Sequence, residues 1–350
     1  MGRRPYRAGG LTSDRVHDTT PQLSLVEASS LLEDEFDLAG DLAPLPSERD
    51  QNFLAQTPDG CKFVLKIAKS DERREVLELQ NAAIAHLRRE LADLDWPELR
   101  RTVRGAQIAE TRDRRGRTHF ARLFSWVEGT PFVHAAPHDS KLLGSLGRAL
   151  ARIDRSLERF THPAMHRALH WDLKRADQAF RHAHLLSIAQ RALIEDHIGA
   201  WRELPWPLLR HGVIHGDAND YNVLVRAGEV AALLDFGDMV HSAVVCDLAI
   251  GAAYAMLGKR DALSAARQVI GSYCCALPLT PAEAEAVFPL ISTRLAMSVC
   301  YSAHNAREKS DDPYQQVSSA PAWQLLADLA ALPPGFALEA CRDAALRERR

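Results

Sequence analysis

The stretch His211-Gly-Val-Ile-His215-Gly-Asp217-Ala-Asn-Asp-Tyr-Asn222-Val-Leu-Val225, then four residues, then Val230-Ala-Ala-Leu-Leu-Asp235-Phe-Gly-Asp238, decides the reading of this 350-residue chain. Two apolar segments, 223–225 and 230–234, flank Arg226-Ala227-Gly228-Glu229. An apolar run, a Gly-bearing turn and a second apolar run predict a β-hairpin. A hairpin brings the residue before its first strand beside the residue after its second. Asn222 and Asp235 are therefore expected to meet, with Asp217 on the loop leading in. Asn and Asp supply the hard oxygen ligands that Mg²⁺ takes, usually one or two from protein with phosphate and water. Asp217 is placed to orient an acceptor hydroxyl and take its proton.

An Asp, an Asn five residues on and an Asp-Phe-Gly form the set that kinases use. Either triplet alone fits an ordinary hairpin with solvated carboxylates; both at this spacing point to phosphoryl transfer. The stretch resembles the aminoglycoside phosphotransferase superfamily, small-molecule kinases with a protein-kinase-like fold, in which the first triplet is His-Gly-Asp, as at His215–Asp217. The wider wording, through Leu234-Asp-Phe-Gly-Asp-Met-Val-His-Ser242, is most similar to the hydroxylysine kinase branch.

The resemblance covers about residues 35–320. It implies a two-lobed α+β fold, with an antiparallel sheet plus helix in the N-lobe and a mostly helical C-lobe carrying the hairpin. It also implies Mg²⁺, ATP or GTP as phosphoryl donor, and a small amine-bearing hydroxyl acceptor. By resemblance 5-hydroxylysine leads, with choline, ethanolamine, homoserine, a fructosamine or an aminoglycoside as alternatives. A nucleotide-binding pseudokinase acting through a partner is the alternative of another class.

Bulk properties narrow the field. A formal net charge of −3, with 43 Lys plus Arg scattered along the chain, gives no case for nucleic acid or membrane as partner. No run of 18 apolar residues predicts a transmembrane helix. The N-terminus lacks the apolar core of a signal peptide, so the cytoplasm is the expected compartment. The six cysteines include no Cys-x-x-Cys spacing and are expected to be mostly reduced core residues.

Residues 1–22 read as a disordered arm, 23–125 as the nucleotide-binding N-lobe, 126–130 as a hinge and 131–350 as the catalytic and substrate-binding C-lobe. In the N-lobe a helix is expected over 23–33, strands over 36–45, 52–56 and 61–68, a helix over 72–94, and strands over 103–108 and 119–126. The basic turn 112–117 reads as solvated. Lys66 lies in the third strand, where a lysine needs an anionic partner. By resemblance it holds the nucleotide phosphates and pairs with a helix glutamate, Glu78 or, one turn earlier, Glu75. The segment Ser47-Glu48-Arg49-Asp50 stands where a kinase has its Gly-rich loop, but it lacks the glycines. Ser47 and Glu48 can offer backbone N–H groups and Arg49 a guanidinium to phosphate, or the segment is a plain surface turn. The resemblance assigns nucleobase binding to backbone groups of Trp126 and Val127.

Helices are expected over 139–160, 186–204, 247–258, 260–274, 281–307, 320–331 and 335–348. Only eleven residues separate Asp235 from Asp247, too few for the peptide-binding segment of a protein kinase. Asp247 resembles a family residue that supports the catalytic-loop backbone, and His215 belongs to the same support. For the acceptor, Arg294 suits a carboxylate and Asp238 or Asp172 an amine, with Tyr301 and Asn305 on the Arg294 face of their helix. Each also has a plain reading: a salt bridge for Arg294 and Asp238, a helix cap for Asp172.

Overall fold

The computed structural model describes residues 19–47, 49–308 and 319–346. Most of the expected arm at 1–22 and all of Glu48 lie outside the described residues. The chain divides into two compact units: Met1–Leu77 with Glu98–Trp126, and Glu78–Pro97 with Val127–Arg350. Residues 78–97, within the span expected for the N-lobe, group with the second unit.

The first unit begins with helix α1, Leu25–Phe36. Ser24 caps it: the Ser24 Oγ accepts from the Glu27 N–H at 3.3 Å, and the Glu27 carboxylate accepts from the Ser24 N–H at 2.7 Å. This capping box satisfies two otherwise orphaned donors. Ala28, Leu31, Leu32 and Phe36 form the buried face. The expected strand from residue 36 is corrected here. Phe36 follows Leu32 by four residues and continues the helical stripe, so the helix ends only at Asp37, in the left-handed region at φ 48°.

Strands β1 (Asp41–Leu45), β2 (Gln51–Gln56) and β3 (Lys62–Ile67) form the expected antiparallel meander. Helix α2 (Arg74–Glu90) follows, then β4 (Leu99–Arg100), β5 (Ala109–Arg112) and β6 (Thr118–Ser125). The sheet order is β1-β2-β3-β6-β4, with β5 also on β6. It thus has six strands where five were expected. The strand expected over 103–108 is instead a turn. There the Gly105 N–H donates to the Thr102 carbonyl at 2.8 Å, the Ala106 N–H to Thr102 Oγ1 at 3.0 Å, and Gly105 takes φ +80°. That turn splits one strand into two short ones, both paired with β6. Phe36, Phe53, Leu65, Ile67 and Leu123 belong to the core between α1 and the sheet. The basic turn is not merely solvated. Asp113, 5 % exposed, accepts from the Arg115 and Arg117 N–H groups at 2.9 and 3.0 Å and from the Arg117 guanidinium at 2.6 Å.

The second unit holds β7 (Thr130–Pro131), α3 (Ser140–Leu157), α4 (Asp177–Phe180), α5 (Ile188–Arg202), β8 (His211–Ile214), β9 (Val223–Arg226), β10 (Glu229–Leu233) and β11 (Val240–Ala243). It continues with α6 (Val245–Met256), α7 (Ala262–Ala276), α8 (Pro281–Glu308), α9 (Ser319–Ala330) and α10 (Phe336–Leu346). Asp139 caps α3, its carboxylate accepting from the Leu142 N–H at 2.9 Å. Helix α6 is buried almost end to end and packs on α3, α7 and α8. By length and composition the stretch Pro281–Arg307 of α8 could cross a membrane, but 67 % of its most apolar window is buried in the protein. Four cysteines, Cys246, Cys274, Cys300 and Cys341, are buried, and all six are unbridged. The mixed α+β architecture, with an antiparallel sheet in one unit and helices dominating the other, is the class the sequence implied.

Two small ladders position the chemistry. β9 and β10 form the expected hairpin, with Ala227 and Gly228 at φ 54° and 75° in its turn. Both of its faces are buried, which accounts for the unbroken apolar runs. A bulge at Ala231 sends that carbonyl to the Asp95 N–H at 2.8 Å. β8 pairs antiparallel with β11, Ile214 opposite Val240. The loop leaving β8 and the turn entering β11 therefore meet at one end.

Candidate active site

The hairpin does what its pattern predicts. The Leu234 N–H donates to the Asn222 carbonyl at 2.8 Å, which ties the residue before β9 to the residue beside Asp235. The Asn222 side chain turns the other way: its Nδ2 donates to the Asp217 carbonyl and to Asp217 Oδ2, both at 2.9 Å. Both bonds use the amide nitrogen, so the amide oxygen points to the opposite side. Asn219, on the same loop, accepts from the Tyr221 and Asn222 N–H groups at 2.9 and 3.0 Å and donates its own Nδ2 to Asp217 Oδ2 at 2.8 Å. This Asx turn fixes the loop from within.

Asp217 Oδ1 accepts from Arg294 Nη2 on α8 at 2.7 Å. Two amides and a guanidinium thus converge on the Asp217 carboxylate. Arg294 is 3 % exposed. Its guanidinium lies over the Trp171 ring at 4.5 Å and the Tyr254 ring at 5.4 Å, and Nη2 also donates to the Tyr254 hydroxyl at 3.1 Å. Burial works against its charge, but Tyr254, Asp217 and Asp238 outweigh burial and raise its pKa. Burial likewise raises the carboxyl of Asp220, on the same loop, to about 6.

His215 is fully buried below the loop. Its Nε2 bonds the Leu234 carbonyl at 3.1 Å, its Nδ1 accepts from the Asp217 N–H at 3.3 Å, and its ring meets the Phe236 ring edge-on at 4.8 Å. Burial lowers its pKa, so it stays neutral with the proton on Nε2, as these bonds require. Asp247, at the start of α6, accepts from the His215 and Gly216 N–H groups, both at 2.7 Å. Gly216 has φ +81°, and a Cβ there would strike the Asp238 carbonyl. Only glycine lets the loop lie against the following turn. Beneath them Asp154 of α3 accepts from the Tyr273 hydroxyl at 2.6 Å. Burial first and the Asp247 charge second push its carboxyl well above the usual range.

Asp235 sits at φ 59°, ψ 82°, a left-handed conformation costing a side-chain-bearing residue about 1 kcal/mol or more. Its Oδ1 accepts from the Gly237 N–H at 3.2 Å, and Arg167 Nη2 donates to the Gly237 carbonyl at 2.5 Å. The Asn222 amide oxygen and the carboxylate of Asp235, the residue after the Leu234 that bonds the Asn222 carbonyl, make a fitting pair of hard ligands for a divalent cation.

The remaining sequence-chosen residues divide. Asp172 takes its plain reading: it caps a short 3₁₀ turn, accepting from the Lys174 N–H at 3.1 Å and from the Ser242 hydroxyl at 2.7 Å. The Tyr301 hydroxyl donates to the His170 carbonyl at 2.9 Å, and its ring meets Trp171 edge-on at 4.7 Å. Asn305 lies one turn further along α8 and is half-buried. Asp238 is 4 % exposed. In the first unit Lys66 stands in β3 opposite Asn52 and Arg122. Glu75 is exposed and pairs with Arg73 at 3.5 Å, whereas Glu78, in the second unit, is half-buried. The Trp126 N–H is taken by the Lys62 carbonyl at 3.0 Å, leaving its carbonyl rather than its N–H for a nucleobase; Val127 opens the second unit. Ser47 Oγ accepts from the Asp50 N–H at 3.2 Å, and Arg49 beside it is half-buried. Sequence reasoning missed Asn219, Asp154 and Arg167. Asn219 alone carried a signal, an Asx residue two and three before the N–H groups it holds.

Residues 41–285 match the phosphotransferase enzyme family. Curated relatives include hydroxylysine kinase of Bos taurus, 27 % identical with 88 % of this chain and 89 % of that protein covered. Hydroxylysine kinase of Mus musculus is 28 % identical, with 88 % and 90 % covered. Among solved structures, a microcompartment-associated aminopropanol kinase superposes with a TM-score of 0.71 at 16 % identity, covering 88 % of this chain and 98 % of that one. An amicoumacin kinase in complex with AMP-PNP, Ca²⁺ and Ami superposes with a TM-score of 0.64 at 14 % identity, covering 84 % and 90 %. These two share the kinase-like fold. The chain belongs to the phosphotransferase enzyme family and is a small-molecule kinase, transferring phosphate to a hydroxyl-bearing substrate.

Proposed function

We propose that this kinase transfers the γ-phosphoryl of ATP or GTP to the side-chain hydroxyl of 5-hydroxylysine. The observation that carries the transfer is the set Asp217, Asn222 and Asp235 held together at the end of β8, β9 and β10. The relatives named hydroxylysine kinase, aligned over most of both chains, support the acceptor. Mg²⁺ on Asn222 and Asp235 would neutralise phosphate oxygens as the group passes. Asp217 aligns the hydroxyl and accepts its proton. Lys66 serves the α/β-phosphates. Positioning and charge stabilisation then supply most of the rate.

The test is nucleoside-diphosphate release with Mg²⁺, offering ATP and GTP separately against 5-hydroxylysine, aminopropanol, choline, ethanolamine and homoserine. Release that depends on 5-hydroxylysine supports the reading and names the nucleotide. Release with another member alone keeps the chemistry and discards the acceptor. Nucleotide binding without turnover on any member discards the reading.

A further inference from the structure

Arg294 has more hydrogen-bonding capacity than its neighbours use. Its Nη2 serves Asp217 and Tyr254, but its Nε and Nη1, equally buried, meet no acceptor among the described residues. A buried donor left unmet is destabilising, and more so when it is charged. A guanidinium cannot escape that cost by losing its proton. The rings of Trp171 and Tyr254 lie against it. Both unmet donors lie in the guanidinium plane, and each can give one charge-assisted bond to an oxygen of an anion.

Two anions come to such a site: the transferred phosphoryl group and any carboxylate on the acceptor. Asp217 separates them. Its Oδ2 faces Asn219 and Asn222, the side of the proposed metal and phosphate, while its Oδ1 faces Arg294. Arg294 is therefore on the far side of Asp217 from the phosphate. We propose that Arg294 receives a carboxylate carried by the acceptor, so that the enzyme selects an amino acid over an amino alcohol without an acid group. This rests on the amino-acid acceptor of the function proposed above. Trp171, half-exposed on an irregular segment and resting on the guanidinium, is the side chain that shifts to admit it. Because one guanidinium then bridges the carboxylate and Asp217, recognition of the acid group also steadies the residue that aligns the hydroxyl.

The experiment compares 5-hydroxylysine with the same diamino alcohol lacking its carboxyl group, in the wild type, Arg294→Lys and Arg294→Gln. Wild type should favour the acid by about 100-fold in kcat/KM, the usual size of a buried charged pair. Arg294→Lys should keep part of that preference, and Arg294→Gln should bring it within about threefold through KM for the acid. Equilibrium binding of the two compounds gives the same ratio without turnover, so it is read even where neither is phosphorylated. Equal treatment of the two by wild type overturns the inference with no variant needed, even if 5-hydroxylysine is a good acceptor. A folded Arg294→Gln that keeps the full preference also overturns it. Weakened nucleotide binding in Arg294→Gln with the preference intact assigns the anion to the phosphoryl group and overturns it too. Turnover of acid-free alcohols alone overturns both proposals together.

Discussion

The loop 215–222, proposed above to carry the chemistry, and the β1–β2 turn at Ser47–Asp50, expected from the sequence to face phosphate or to be a plain surface turn, are both short polar connections, and they are built differently. In the catalytic loop Asp217 takes three side-chain donors, Asn219 and Asn222 bind the loop itself, and Asp247 holds two of its N–H groups from below. In the turn, the Asp50 N–H reaches Ser47 Oγ at 3.2 Å, the Lys69 N–H reaches Asp50 Oδ1 at 3.3 Å, and Ser47 is exposed. The loop proposed to present a charge to the reacting atom is fixed before substrate arrives. Such donors and dipoles need no reorganisation at the moment of reaction. Among the described residues the turn shows these two side-chain bonds, both at 3.2 Å or longer.

The sharpest break is Asp217→Asn. The amide keeps the size of the side chain but cannot take the hydroxyl proton. Turnover should fall by about 10³-fold, while nucleotide affinity, read by equilibrium titration, stays near that of wild type. Wild-type turnover in this variant would remove Asp217 from the chemistry. Asp247→Ala attacks the same loop from beneath. It leaves the buried His215 and Gly216 N–H groups unmet, at about 1–3 kcal/mol each. Urea unfolding should show a loss of about 3 kcal/mol, together with a lower kcat. A loss under 1 kcal/mol would mean that the loop holds itself.

These effects also mark what the sequence could show. Asp217, Asn222, Asp235 and Asp247 lie within 31 residues, and the hairpin that joins them is written in two apolar runs and one turn. Arg294 bonds Asp217 across 77 positions, and Tyr273 bonds Asp154 across 119. No local pattern predicts which helical Arg or Asp reaches under a distant loop: charge alone marks Arg294, and nothing local marks Asp154. The splitting of the 103–108 strand is a subtler failure. Val103 and Ile108 have strand propensity, but Thr102 and Gly105 close a turn between them, and local hydrogen bonds won over propensity.

Asp154→Asn tests the support below the loop with a smaller effect. The Asp154 carboxyl has its pKa raised by burial and by Asp247. A carboxyl raised in the folded state contributes its full stability below the unfolded value, near 4, and loses it as pH climbs toward the folded value. Asparagine cannot ionise and can still accept from Tyr273. The variant should be more stable than wild type by about 1 kcal/mol at pH 7 to 8, and the gain should vanish toward pH 4. An equal loss at both ends would show that the carboxylate itself is needed.

Ser47→Ala probes the other side of the comparison and should do least. It deletes one exposed acceptor at 3.2 Å, so stability should change by no more than about 0.5 kcal/mol. If the turn adapts to nucleotide through backbone groups, KM for ATP or GTP should rise by less than about threefold, under 0.7 kcal/mol. A tenfold rise with unchanged kcat would mean that the Ser47 side chain presets the turn for phosphate. The turn would then be preorganised like the catalytic loop, with a single hydroxyl in place of a network, and the contrast between the two regions would be one of construction rather than of rigidity.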